Sequence, residues 1–239
     1  MALIGENSVL SDARDCAQTL FSGFKNGDND GFKAPGVTMG NGRIREGWST
    51  SSAVSFLALA FETVRMEHED AAALSIISKI LRSMYLHREI REKGGAYGGF
   101  ALYSPEDGLF CLASYRDPHI VATLKAFDSA AAFIRSGSFD DEDVNEAILQ
   151  VCSEIDKPDP PGPAARKAFY RKIISLSDDM RMQFKTRLLS LTRKQVIQAA
   201  EKYFDGDQEK KAVAVISGEE KLKAANEILS DNPLKLNRI

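Results

Sequence analysis

The chain has 239 residues, 31 basic and 34 acidic side chains, a formal net charge of −3, and 44% hydrophobic against 27% charged content. These proportions describe a globular protein and exclude a disordered, fibrous or collagen-like chain. A near-neutral balance lacks the basic face that nucleic-acid and membrane-surface binders use, and the longest apolar stretch, 54–61, is far short of the ~20 residues a bilayer span needs, so neither partner is expected.

In chain order, the opening MALIGENSVLSD carries no basic segment followed by an apolar one, so no secretory leader is expected. Residues 2–4 read as a strand end, and a helix is expected over 12–21 with Ser11 as its N-cap. Residues 22–47 are rich in Gly, Asn and Asp and read as loop. Within them Asn26, Asp28, Asp30 and Gly31 imitate the start of a calcium loop. Its twelfth position is Val37, where a bidentate Glu is required, so a plain polar loop is the better reading. The run 54–64 fits strand or helix by pattern and is assigned to a central strand ending near Arg65. Leu74, Ile77, Ile80, Leu81, Met84 and Tyr85 fall at helical spacing and predict a helix over 70–88, with Glu69 and Asp70 at its positive end. A hairpin follows, strands 99–103 and 109–115 around a Pro-Glu-Asp-Gly turn.

Asp117-Pro118 is expected to start the next helix, striped by Ile120, Leu124, Phe127, Ala131 and Ile134 and ended by Gly137. Another begins near Asp140 and buries Val144, Ala147, Ile148, Val151, Cys152 and Ile155. The proline-rich 157–163 reads as neither helix nor central strand. Two or three helices within 164–204, a strand over 212–216 and a helix over 219–229 complete the chain. The fold class is α+β, a mostly antiparallel sheet with helices packed on one face, taken as one domain over 1–239. Cys16, Cys111 and Cys152, odd in number and widely spaced, fit reduced thiols and a cytoplasmic protein, or one of an organelle matrix in a eukaryote, rather than a secreted one.

Self-contained catalytic machinery is not visible. His68, His87 and His119 have no histidine partner at metal-motif spacing. His87-Arg-Glu89 echoes the H-x-E of zinc deaminases without its C-x-x-C. No nucleophile elbow, phosphate loop or dinucleotide fingerprint occurs. The distinctive feature is Arg91-Glu-Lys-Gly-Gly-Ala-Tyr-Gly-Gly99 leading into a strand. Gly94, Gly95, Gly98 and Gly99 permit close backbone approach or unusual φ, while Arg91 and Tyr97 offer hydrogen-bond donors. A glycine-rich turn with Tyr97 simply packed is the competing reading.

The longer run from His87 to Gly99, with Gly108-Leu-Phe110 and Ser114-Tyr-Arg-Asp-Pro118, resembles the C-terminal domain of presequence proteases, in the falcilysin-like branch of the insulinase/pitrilysin zinc metallopeptidases. The likeness is tightest over 70–160. It implies one of four homologous α+β domains that form two halves around a chamber, the first carrying an inverted H-x-x-E-H zinc motif. It further implies that Arg91 and Tyr97 reach across to hold peptide near the scissile carbonyl, with Gly94, Gly95, Gly98 and Gly99 shaping the substrate-binding loop. Arg116 matches as well, and with Asp117 reads as structural.

Three function readings follow. The first is the C-terminal domain of a zinc oligopeptidase acting on short unstructured peptides, with the N-terminal zinc-bearing half as partner, no metal or cofactor bound by this chain, and no activity from it alone. The second is a non-catalytic interaction or scaffold domain, or inactive subunit, of the same fold. The third, a stand-alone small-molecule enzyme, lacks a visible nucleophile–base pair.

Overall fold

In the computed structural model, which describes residues 2–24, 44–204 and 211–239, burial alternates residue by residue along β2 (Ser55–Glu62), most of β4 (Leu109–Asp117) and β5 (Lys211–Gly218). Side chains on a strand point alternately to opposite faces, so this pattern marks a sheet with one covered face. The six strands follow the order β3-β4-β2-β5-β1-β6, where β1 is Arg45–Thr50, β3 is Gly98–Ser104 and β6 is Lys235–Arg238. Pairings β3–β4, β4–β2 and β2–β5 are antiparallel, while β1 runs parallel to both β5 and β6. The α+β class and the hairpin stand as expected, and the hairpin's Gly108 takes φ +72 with its N–H donating to the Ser104 carbonyl at 2.8 Å.

The chain divides into two compact units, one of Met1–Asn41 with Lys157–Asp178 and one of Gly42–Asp156 with Asp179–Ile239. The smaller holds α1 (Asn7–Ser22) and α5 (Pro161–Ile173). Helix α1 starts five residues before the expected point with Glu6 as its N-cap, so Ser11 is an interior residue and 2–4 form no strand. Helix α5 starts inside the proline-rich segment, a correction with a simple cause. Its prolines occupy the first turn, where an N–H would have no helical partner and a preset φ helps.

The larger unit carries the sheet and the remaining helices: α2 (Ala71–Ile80), α3 (Val121–Ser136), α4 (Asp141–Asp156), α6 (Asp178–Leu189, from its second residue), α7 (Arg193–Tyr203) and α8 (Glu219–Ile228). Helix α2 is buried over nearly its whole length, because it packs against β3 while α4 and α7 pack against it. The apolar stripe of α4 therefore meets α2 and not the sheet, contrary to the expectation that every stripe faces the strands. Helix α8 lies over β1 and β5. Under the sheet, Phe61 stacks on Phe110 at 5.5 Å and Phe204 meets both edge-on at 5.1 and 5.0 Å, the geometry aromatic rings prefer.

Two strands were not foreseen. Residues 45–47 belong to the expected loop over 22–47, yet β1 begins at Arg45. The rest of that loop, 25–43, with the calcium-like stretch from Asn26 to Gly31, lies outside the described residues. Helix α3 begins at Val121 rather than at Asp117. Asp117 remains in β4, fully buried, and its carboxylate accepts from the His119 N–H at 2.8 Å and the Thr123 hydroxyl at 2.7 Å. It thus organises the strand-to-helix junction as expected, beside Arg116 at φ +51.

Asp70, the N-cap of α2, joins α2 to α7: it accepts from Lys202 Nζ at 2.6 Å and the Tyr203 hydroxyl at 2.8 Å. Burial pushes its carboxyl pKa up, but these hydrogen bonds outweigh that and hold it below the usual range. A depressed folded-state pKa stabilises above the unfolded value and is lost as pH falls through the folded one. Asp70→Asn is expected to cost about 1 kcal/mol at neutral pH, kept small because Lys202 is solvent-screened. The deficit should shrink below the ordinary carboxylate range, which urea unfolding at pH 7 and pH 3 measures.

Candidate functional site

The site grows out of the C-terminal extension of α2. From Leu81 to Glu92 the helix continues as a π-helix, whose wider turn bonds each N–H five residues back, as Lys93 N–H does to the Arg88 carbonyl at 3.0 Å. Such segments are rare and favour functional sites. Its buried residues are Leu81, Leu86 and Ile90.

Each predicted glycine has its own physical reason. A Cβ on Gly94 would lie 2.6 Å from the Ile90 carbonyl oxygen, so only glycine lets the chain turn back over the helix end. Gly95 takes φ +73, and the N–H groups of Gly95 and Ala96 satisfy the carbonyls of Arg91 and Ile90 at 3.0 and 3.1 Å. Gly98 and Gly99 are not loop residues but open β3. A Cβ on Gly99 would meet the Leu86 oxygen at 2.9 Å and Ile90 Cβ at 3.1 Å. That glycine sets how closely strand and π-helix pack.

The two donors end on either side of this turn. Arg91 is exposed, with Nη1 3.3 Å from His87 Nε2, and His87 Nδ1 lies 3.3 Å from Glu92 Oε1. Tyr97 is 68% exposed. Its backbone N–H donates to the Tyr115 carbonyl at 3.1 Å and its ring stands edge-on to Tyr115 at 5.8 Å, which stands edge-on to Phe56 at 5.3 Å. Among the described residues the Tyr97 hydroxyl has no hydrogen-bond partner. The structure thus joins Arg91 to a polar cluster and Tyr97 to an aromatic one, the two linked by the Gly94–Ala96 turn.

Beyond Tyr97, the uncovered sheet face continues through Phe100 and Leu102 on β3 and Cys111 and Ala113 on β4. Cys111 is half-buried, and burial raises its thiol pKa, which suits an inert packing thiol. Among the described residues no group of three or more His, Cys, Asp or Glu is placed to hold a metal ion, and no helix is long and apolar enough to cross a membrane. The residues present can donate hydrogen bonds to an extended carbonyl-bearing ligand, but they do not form a metal centre. In the sequence His87 is marked by the lack of a histidine partner at metal-motif spacing. Its signal was the four-residue spacing to Arg91, a pair of neighbours on any helix, hidden because the expected helix stops at residue 88 whereas the helix runs on to Glu92.

A family model described as the PreP C-terminal domain matches residues 53–219. The mitochondrial presequence protease of Xenopus tropicalis is 37% identical over 177 residues, 74% of this chain and 17% of that protein. This chain therefore spans about a sixth of the length of that relative. Among solved structures, a protease from Helicobacter pylori superposes with a TM-score of 0.66 at 16% identity, over 87% of this chain and 52% of that one. The peptidase M16 inactive domain from Pseudomonas fluorescens gives 0.61 at 19% identity, over 87% and 50%. These two likenesses carry the fold, whereas the family match and the sequence identity carry descent: the chain belongs to the family of PreP C-terminal domains.

Proposed function

We propose that this chain serves as the C-terminal domain of a zinc-dependent oligopeptidase that degrades short unstructured peptides, and that Arg91 and Tyr97 hold the peptide carbonyl at the scissile bond. The observation that carries the reading is the pair of exposed donors, one with an unpartnered hydroxyl, set around a glycine turn within the family match. During amide hydrolysis the carbonyl oxygen gains negative charge, and donors fixed at that position favour the transition state over the ground state. Among the described residues no group fits a zinc site, so the metal is assigned to an N-terminal half, in the same or a separate chain. The whole of 1–239 is taken to work as one such domain, its larger unit carrying the site. The mitochondrial relatives favour an organelle matrix as its compartment.

The isolated chain is expected to show no peptidase activity and no stoichiometric zinc. Elemental analysis of tag-free protein checks the second point, and one tightly held zinc per chain would refute it. In the complete enzyme, Arg91→Lys keeps the charge but loses the planar fork. Its kcat/KM on a short unstructured peptide should fall roughly ten- to a hundredfold, the worth of a hydrogen bond to a charged group. A scaffold role, favoured by the likeness to an inactive domain, predicts unchanged kinetics instead.

A further inference from the structure

A long exposed arginine side chain samples many staggered rotamers, and holding its guanidinium in one of them costs up to about 2 kcal/mol of side-chain entropy. If Arg91 is to meet a carbonyl at a fixed point, some neighbour must restrain it. The π-helix supplies one, because its wider turn sets residues four and five apart side by side: His87 beside Arg91 and beside Glu92, at 3.3 Å each.

Proton bookkeeping then decides the state of the imidazole. A guanidinium only donates, an ionised carboxylate only accepts, and neutral histidine does one at each nitrogen. The Arg91 contact has hydrogen-bond geometry and the Glu92 contact lies at ion-pair distance, and both are favourable in one arrangement: His87 neutral, its Nδ1–H on the side of the Glu92 carboxylate and its Nε2 lone pair accepting from Arg91. The neighbouring carboxylate is engaged elsewhere, since Glu89 accepts from Arg88 at 2.9 Å and Lys93 at 2.8 Å. Glu92 is therefore the described carboxylate that faces this ring.

We infer that Glu92 is a positioning residue: by fixing His87 as the Nδ1–H tautomer it makes Nε2 the acceptor that orients the Arg91 guanidinium. The inference rests on the reading of Arg91 as a substrate donor, although Glu92 itself touches no substrate. Its side chain is 59% exposed and that of His87 is 45% exposed, so the contact adds little to stability. Orientation and stability are thereby separable.

The test uses side-chain ¹⁵N NMR of His87 in the 239-residue chain, with kinetics and thermal melts of the complete enzyme. Wild-type His87 is expected to carry its proton on Nδ1. Glu92→Gln keeps an acceptor oxygen and should preserve that tautomer and near-normal kcat/KM. Glu92→Ala should give mixed tautomers and a roughly tenfold loss of kcat/KM, the worth of one hydrogen bond to a charged group, with an unchanged melting temperature. A proton on Nε2 in the wild type, or a tautomer indifferent to Glu92→Ala, would overturn the inference. So would a lost tautomer with wild-type kinetics. A wild-type-like Arg91→Lys alongside the expected tautomer response would instead locate the failure in the substrate-holding reading.

Discussion

Phe110→Ala is expected to destabilise the larger unit by about 3–5 kcal/mol, the range for truncating a buried aromatic. Phe110 is fully buried and touches the rings of Phe61, Phe204 and Tyr103. It lies on β4, the strand that joins the hairpin to the rest of the sheet. Removing its ring therefore opens a cavity between three strands and the segment after α7. The void cannot close without moving Phe204, which meets both Phe61 and Phe110 edge-on. For a unit of this size the loss corresponds to a fall of roughly 6–20 °C in Tm. Calorimetry of the 239-residue chain checks it. A shift of only a degree or two would mean that this cluster is not the centre of the core. Cys111→Ala, on the opposite face of the same strand, offers the internal comparison and should move Tm far less.

Strand β2 was legible, though its run also fitted a helix by pattern. Leu57, Leu59 and Phe61 alternate with Phe56, Ala58 and Ala60, and that period of two survives into the structure. Gly108 and Gly137 were legible as turn and helix-end residues because each takes a positive φ. Strand β1 was hidden, since Arg-Glu-Gly-Trp-Ser-Thr has no clean alternation and a glycine at its centre. The reason for that glycine is tertiary: a Cβ on Gly47 would lie 2.9 Å from Leu236 Cδ2 and 3.1 Å from Leu222 Cδ2. Strand β6 is four mostly exposed residues at the sheet edge, with no apolar pattern to betray it.

The π-helix was the instructive miss. A 3.6-residue period placed Met84 and Tyr85 on the core stripe, yet both are only half-buried, and the buried positions are Leu81, Leu86 and Ile90. Spacings of five and four are what the wider turn imposes, and a reading locked to α-helical periodicity does not test for them. The same wider turn brings His87 and Glu92 together, so part of the candidate site became visible only with the helix type. Arg91, Tyr97 and their glycines needed no such knowledge: as residues they also fit a plain glycine-rich turn, and the resemblance over the run from His87 to Gly99 is what singled them out.

Tyr97→Phe addresses the proposed role most directly. The substitution removes a hydroxyl that has no partner among the described residues and leaves the edge-on contact with Tyr115 in place, so folding should be unaffected. Losing one donor aimed at the developing oxyanion typically costs ~10²–10³ in turnover, about 2.7–4 kcal/mol. A hydroxyl that held ground state and transition state equally would instead raise KM and leave kcat alone. The decisive measurement is therefore kcat and KM of the complete enzyme carrying Tyr97→Phe on a short unstructured peptide, with a thermal melt of the same protein. The expected result is a hundredfold or greater loss of kcat at an unchanged melting temperature. Wild-type kcat and KM would contradict it and take Tyr97 out of the active site.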